Sequence, residues 1–190
     1  MPKNQNIELP LKLFIITLVA GLLLGGTYVL TKEPIAEQNR IAAEAARLEA
    51  FADATFEDID AATLEEIQNT YDNVASVFSA FRDDTLSGYV VALTQKGYGG
   101  DITLTVGVDL EGIVTGVAVG SHQETAGLGA KAAEPEFRNR FVGKSTVKVV
   151  KGAGGDGEIS ALTGATITSK AVAGGVNEAI EIASALSQGE

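Results

Sequence analysis

The stretch TGATITSK, residues 163–170, concentrates side chains that could take part in chemistry. Its hydroxyl residues surround a Gly-Ala pair and stand directly before a segment with the apolar spacing of a helix. The first turn of such a helix has unpaired backbone N–H groups and the positive end of the helix dipole, which together attract a phosphate. Gly164 and Ala165 would let a bulky group approach the backbone. The alternative is a simple helix start with Thr168 or Ser169 as its N-cap. On the residues alone, both interpretations stay open.

The composition narrows the chemistry that this chain can perform by itself. It has 190 residues, one histidine and no cysteine, so it can form neither a disulfide nor a thiolate metal site. A hydrolase triad could use only His122, and a multi-histidine metal centre is impossible. The formal net charge of -11 argues against nucleic acid as a partner. We therefore expect a reactive centre to come from a cofactor, with no iron or zinc.

An uncharged apolar run near the N-terminus, residues 13–30, is just long enough to span a bilayer. The alternative is a cleaved signal peptide, but the sequence after the run matches an Ala-x-Ala cleavage site poorly. The distribution of Lys and Arg favours a cytoplasmic N-terminus with the remainder outside. The expected organisation is a cytoplasmic N-terminus, a transmembrane helix, a stalk helix or linker and an extracytoplasmic domain, at residues 1–12, 13–30, 31–55 and 56–190.

The spacing of apolar and turn-forming residues predicts an α+β fold for the outer domain. An antiparallel sheet packs against a C-terminal helix whose apolar face carries Val172, Val176, Ala179, Ile180 and Ala183. A DLEG turn, residues 109–112, joins the last two strands of a three-stranded meander. The strands of the meander are expected at 86–95, 101–109 and 112–120, with further strands at 76–82 and 145–150.

Helices are expected at three further places, and one glycine-rich loop is interpreted as a hairpin connection. Pro34 is expected to open the stalk helix, which continues to about residue 51. Short helices are predicted at 62–74 and 135–141. The KGAGGDGE stretch, residues 151–158, lacks the spacing of a phosphate-binding loop and is interpreted as a mobile turn between two strands.

Three motifs resemble those of the FMN-binding domain family. LTGATIT, 162–168, resembles the family's [ST]-G-A-T-x-[ST] signature, in which the second threonine carries FMN through a phosphodiester bond. HQETAGLGAKA, 122–132, is similar to the family's H-x-E-T-P-G-L-G segment, with Ala126 in place of the proline. KGYGG, 96–100, matches a third element. In this order behind a membrane span, they resemble the G subunits of Rnf-type electron-transport complexes.

The resemblance implies a role for each matching residue. Thr166 is the FMN acceptor, and Lys131 either lies near the flavin or is solvated. His122 is expected to be a local hydrogen-bonding residue, with a proton donor as the alternative. Tyr98 is either a stacking ring or a core tyrosine. The remaining residues implied around the phosphate are Thr163, Gly164, Ala165 and Thr168. Those implied along the flavin and its ribityl chain are Glu124, Thr125, Leu128 and Gly129, with Gly97, Tyr98 and Gly99 beside them.

The resemblance also implies a helper enzyme and a set of partners. The Thr166 hydroxyl is a poor nucleophile without an adjacent base, so a separate flavin transferase is expected to attach the FMN. Ser160 stands where the motif for that enzyme usually has aspartate. The implied function is an electron carrier among other membrane subunits of a redox-driven ion pump linked to ferredoxin and NAD. Alternatives are an anchored flavodomain serving a separate extracytoplasmic reductase, and a non-redox anchored interaction module.

Overall fold

The computed structural model describes residues 5–152, 155 and 157–189. The chain divides into two compact units, Met1–Ala43 and Glu44–Glu190. Helix α1, Gln5–Ala50, contributes residues to both. Within the described residues, one helix is long and apolar enough to cross a bilayer, judged by length and composition.

Helix α1 is continuous through Pro10 and Pro34, so the prediction that Pro34 opens a new helix is wrong. The apolar run before Pro34 and the Ala- and Glu-rich segment after it both favour helix strongly, and this outweighs the one backbone hydrogen bond that a proline removes. Threonines in the apolar run donate to carbonyls one turn earlier: the Thr27 hydroxyl lies 3.0 Å from the Leu23 oxygen. These bonds satisfy the hydroxyl groups within the helix.

The second unit contains a five-stranded antiparallel sheet in the order β1-β2-β3-β4-β5, which confirms the predicted α+β class. Its strands are β1 Thr55–Asp58, β2 Val74–Arg82, β3 Thr85–Lys96, β4 Asp101–Asp109 and β5 Val114–Val119. The DLEG turn joins β4 to β5 as expected. Asp109 accepts hydrogen bonds from the backbone N–H groups of Glu111 and Ile113, and Gly112 has a φ of +79°. The short strand β1 was not predicted, because four residues are too few for a periodic signal.

Helix α4, Thr166–Gln188, packs on one face of the sheet and forms most of the core with it. The five apolar residues predicted for its inner face are all buried, as β4 residues Ile102, Leu104 and Val106 are. Gly175 comes so close to the sheet that a Cβ atom there would lie 2.6 Å from a methyl of Leu104. Helix α2, Ala61–Thr70, lies near the predicted position and packs beside β2.

The opposite face of the sheet receives the end of α1. Ala50 and Phe51 are fully buried there, and the Thr115 hydroxyl donates to the Ala50 carbonyl at 2.7 Å. Gly107 and Gly116 face each other across β4 and β5, and a Cβ atom on either would collide with the backbone of this helix end. The absence of side chains at these glycines therefore allows the end of α1 to pack directly on the sheet.

The region before α4 differs from its prediction. Helix α3, Pro135–Arg138, is shorter than the expected helix at 135–141. Strands β6, Lys148–Val150, and β7, Glu158–Ser160, pair in parallel, so the interpretation of 151–158 as a hairpin connection is wrong. Glycine content indicates a turn but not the direction in which the chain leaves it; here β7 runs beside β6 in the direction that buries Ile159 in the core. Residues 153, 154 and 156 of this loop lie outside the described residues.

Candidate functional site

A cavity of about 430 Å³ opens at the N-terminus of α4, within the second unit. Its volume falls in the range of about 300–1,000 Å³ that is usual for small-molecule and cofactor sites. Three segments meet there: the loop after β3, the segment after β5 and the first turn of α4. The lining residues are Tyr98, Glu124, Thr125, Leu128, Gly129, Gly164, Ala165, Thr166, Ile167 and Thr168.

The cavity brings together most of the residues that the sequence predicted for the cofactor. Thr163, Gly97 and Gly99 are not among its lining residues, whereas Ile167 is and was not predicted. Ile167 occupies the variable position of the signature, so no motif could have identified it. Ile167 is 55% exposed, which is unusual for isoleucine, and this exposure beside the cavity identifies it as a candidate site residue.

The N-terminus of α4 lacks a side-chain cap. The N-cap residue is Ala165, which makes no such bond, so the prediction of Thr168 or Ser169 as the cap is wrong. The Ser169 hydroxyl instead donates to the Ala165 carbonyl at 2.9 Å and accepts from the Leu162 N–H at 2.9 Å. The first backbone bond of the helix runs from the Ser169 N–H to the Ala165 oxygen. The N–H groups of residues 166–168 precede this bond, and such groups favour an anion.

Small residues keep the cavity open beside this turn. Gly164 has a φ of +77°, which side chains rarely adopt, and a Cβ atom there would lie 3.1 Å from a Leu128 methyl. Ala165 is buried, and Thr166 is half-buried at the start of the helix. A phosphate-bearing ligand can therefore approach the backbone at residues 164–166 without meeting a long side chain.

The buried Glu124 carboxylate links the segments that surround the cavity. Its Oε2 accepts a hydrogen bond from the Thr168 hydroxyl at 2.6 Å, and its Oε1 accepts one from the Gly99 N–H at 2.9 Å. A Cβ atom at Gly97 or Gly129 would collide with this carboxylate. Gly97 and Gly99 therefore act behind the cavity wall, where they make room for Glu124 or bind it.

The pKa of Glu124 is lowered from its ordinary value of 4.5. Burial of the carboxyl group raises it, but the hydrogen bonds from Thr168, Gly99 and Tyr98 and the nearby His122 together outweigh the burial. The group is therefore ionised at neutral pH. His122 itself accepts a long bond, 3.4 Å, from the Glu124 N–H through its Nδ1, in keeping with a local structural role.

Three residues at the cavity are apolar or aromatic and exposed to solvent: Tyr98 is 72% exposed, Ile167 55% and Leu128 44%. The exposure of Tyr98 contradicts the alternative of a core tyrosine. Exposed apolar side chains grouped around a cavity are typical of a surface that a ligand or a partner covers.

Thr163 faces a different cavity, of about 260 Å³, together with Ser160, Lys131 and Arg140. Arg140 donates to the Ser160 carbonyl at 2.9 Å and so fixes the chain just before the signature. Lys131 is exposed on this side and does not line the larger cavity.

Comparison with known proteins identifies the class of this domain. Residues 97–181 match the FMN-binding domain family, a range that contains every residue lining the larger cavity. The computed fold is similar to the crystal structure of NqrC from Shewanella oneidensis, with a TM-score of 0.55, 28% identity and coverage of 61% of this chain and 62% of that one. It also shares its fold with the C subunit of the Na(+)-translocating NADH-quinone reductase from Parabacteroides distasonis, with a TM-score of 0.54, 20% identity and coverage of 78% and 92%. The fold and cavity thus define a flavin-binding domain whose cofactor is FMN.

Two relatives of similar length place the chain more narrowly. It is 34% identical over 189 residues to the G subunit of the proton-translocating ferredoxin:NAD(+) oxidoreductase complex of Clostridium ljungdahlii, covering 94% of this chain and 93% of the relative. It is 35% identical over 193 residues to the G subunit of the Na(+)-translocating complex of Acetobacterium woodii, covering 95% and 93%. The chain belongs to this family of G subunits.

Proposed function

We propose that the chain is the electron-carrying G subunit of a membrane-bound, ion-translocating ferredoxin:NAD oxidoreductase, with FMN attached to Thr166 through a phosphodiester bond. The observation that carries the proposal is the start of α4, where no side chain caps the helix and the signature residues open onto a cavity of cofactor size. The identity to two G subunits over nearly the whole chain supports the same conclusion.

Different residues around the cavity bind different parts of FMN. The backbone N–H groups of residues 166–168 bind the phosphate oxygens, and Gly164 and Ala165 allow the close approach. Leu128, Ile167 and Tyr98 would pack against the flavin ring. FMN supplies one- and two-electron transfer, while the protein holds the ring in place and limits its contact with water.

A separate flavin transferase makes the covalent bond. No described carboxylate or imidazole is hydrogen-bonded to the Thr166 hydroxyl, and Glu124 is already engaged by Thr168 and Gly99. The transferase would take FMN from an activated donor in which a phosphoanhydride joins the FMN phosphate to a second phosphate group. The Oγ–P bond would form as that P–O bond breaks, and the second phosphate group would leave with the hydroxyl proton. The net gain in mass is one FMN less one water. A covalent link is useful to a carrier outside the cytoplasm, where a dissociated nucleotide would be lost.

The location follows from the apolar run and the family. We infer that residues 13–30 span the membrane, that the stalk ends near residue 43 and that the second unit, Glu44–Glu190, lies outside the cytoplasm. The domain begins earlier than the expected residue 56 because Ala50 and Phe51 are buried against its sheet. The partners are then the other membrane subunits of the complex, which pass electrons to and from the flavin.

The function is tested in membranes of a host that assembles the whole complex. Thr166→Val removes the hydroxyl and retains the side-chain shape, whereas Thr146→Val, at an exposed threonine outside the cavity, is the matched control. We expect Thr166→Val to abolish ferredoxin-driven NAD reduction and the coupled ion uptake, with the subunit content of the purified complex unchanged. Full activity in a Thr166→Val complex that carries no covalent flavin would contradict the proposal.

A further inference from the structure

We propose that Glu124 has two roles in the FMN site: it braces the cavity wall, and its fixed negative charge holds the reduction potential of the flavin low. This inference rests on the proposed placement of FMN in the 430 Å³ cavity. Glu124 acts on the flavin through position and charge, without taking part in a bond that forms or breaks.

The brace consists of the hydrogen bonds from Thr168, Gly99 and Tyr98, which leave both carboxylate oxygens engaged. One oxygen fixes the loop after β3 through the Gly99 N–H, and the other fixes the first turn of α4 through the Thr168 hydroxyl. Thr168 is fully buried, and Glu124 is only 9% exposed. The glycines at 97 and 129 provide the space that this carboxylate fills. Two walls of the cavity are therefore held at a fixed separation by one side chain.

The charge is isolated within the cavity lining. Among the lining residues, Glu124 is the only one with a formal charge; the others are glycine, apolar, aromatic or hydroxyl residues. Charges that are buried are screened less by salt and water than charges at the surface. Adding electrons to a group in this cavity brings more negative charge near a fixed negative charge, which makes reduction less favourable. A lower reduction potential is the consequence.

Glutamine at position 124 separates the two roles. Its amide oxygen can accept from the Gly99 N–H and its amide nitrogen can donate to the Thr168 hydroxyl, so Glu124→Gln retains the brace and removes the charge. Glu124→Ala removes both. Thr168→Val removes one hydrogen bond and retains the charge. Glu134→Gln is the control for the loss of one carboxylate, because Glu134 is exposed and lies outside this cavity.

The test is a spectroelectrochemical titration of the flavin-loaded full chain, at low and at high salt, with flavin content and melting temperature measured alongside. We expect Glu124→Gln to load FMN at the wild-type level and to shift the midpoint potential to a more positive value at both salt concentrations. Thr168→Val and Glu134→Gln should produce no positive shift, and Glu124→Ala should lower both flavin content and melting temperature.

Each contrary result overturns a stated part of the inference. An unchanged potential in Glu124→Gln, or an equal positive shift in Thr168→Val, rules out the fixed charge as the cause. A loss of flavin loading in Glu124→Gln rules out the brace, since glutamine can still bond to both Gly99 and Thr168. The wild type shows whether the proposed function itself fails. If it carries no flavin in this cavity, both the proposed function and this inference are overturned.

Discussion

Small residues at the cavity contribute to the FMN site by giving a ligand access to the backbone, and not only through functional groups. Ala165 holds the N-cap position without a side-chain bond, and Gly164 adopts a backbone conformation that other residues avoid. An uncapped helix start lacks a stabilisation of about 0.5–2 kcal/mol that a serine or aspartate cap can provide. The missing cap favours an anion site at this helix start, since a capping side chain would occupy the backbone N–H groups that the phosphate needs.

Glu124 makes stability depend on pH in one direction. Because its pKa in the folded state is below the ordinary value of 4.5, the carboxylate stabilises the fold above that pH. The contribution is lost as the pH falls through the folded-state pKa. We therefore expect the advantage in free energy of unfolding of the wild type over Glu124→Gln to be largest at pH 7 and to shrink as the pH falls below 4.5.

Urea denaturation of the flavin-free protein at several values between about pH 3.5 and 7 measures this effect. The flavin-free form is obtained from a host without the transferase, so that cofactor binding does not contribute to stability. A difference between wild type and Glu124→Gln that stays constant over the whole range would contradict the lowered pKa.

At the scale of elements, the packing of α4 on the sheet fixes the position of the cavity at the N-terminus of this helix. The sheet contacts α4 along β3 and β4, and Gly175 lies directly against leucines of both strands. Gly174, its neighbour on the same helix, faces open space, since a Cβ atom there meets nothing within 4 Å. Two adjacent glycines therefore have different roles.

The pair gives a matched test of helix packing. Gly174→Ala should stabilise the protein by about 1 kcal/mol, because alanine is the better helix former. Gly175→Ala places a Cβ atom 2.6 Å from Leu104 and 2.8 Å from Leu93, and overpacking of this kind costs about 1–3 kcal/mol. Thermal or urea unfolding measures both variants. Equal stabilisation by the two substitutions would show that the helix does not sit as closely on the sheet as described.

The elements also show what the sequence could and could not predict. β-Branched runs of sufficient length, such as 101–109, predicted the meander correctly, and the spacing of Val172 and Val176 identified the buried face of α4. The parallel pairing of β6 and β7 could not be predicted, because three-residue strands carry no periodicity and their pairing depends on distant contacts. The preference for Thr and Ser at N-caps does not identify Ala165, because the Ser169 hydroxyl instead bonds back to the Ala165 carbonyl.

Among the site residues, those that a short motif places in one local structure could be predicted from the sequence. The signature predicted Gly164 to Thr166 at the cavity because all three belong to one helix start. The Glu124 brace was not predicted, because it joins residues 25 and 44 positions apart in the chain. Only the fold brings Gly99 and Thr168 to the same carboxylate.

At the scale of the whole molecule, the proposed topology can be tested by labelling because the chain has no cysteine. A single cysteine at exposed Glu111 should react with a membrane-impermeant maleimide in intact cells, since the FMN-binding domain is proposed to lie outside the cytoplasm. A single cysteine at Lys3 should react only after the cells are opened. The reverse pattern, or label at both sites in intact cells, would contradict the orientation.

The intact mass of the denatured chain, produced with an active flavin transferase and compared with that of Thr166→Val, shows whether Thr166 carries FMN covalently. Denaturation releases any FMN that is bound without a covalent link, so a retained mass reports the bond alone. We predict a wild-type mass higher by one FMN less one water, and an unmodified mass for Thr166→Val. An unmodified wild type, or an adduct that persists in Thr166→Val, would contradict the account.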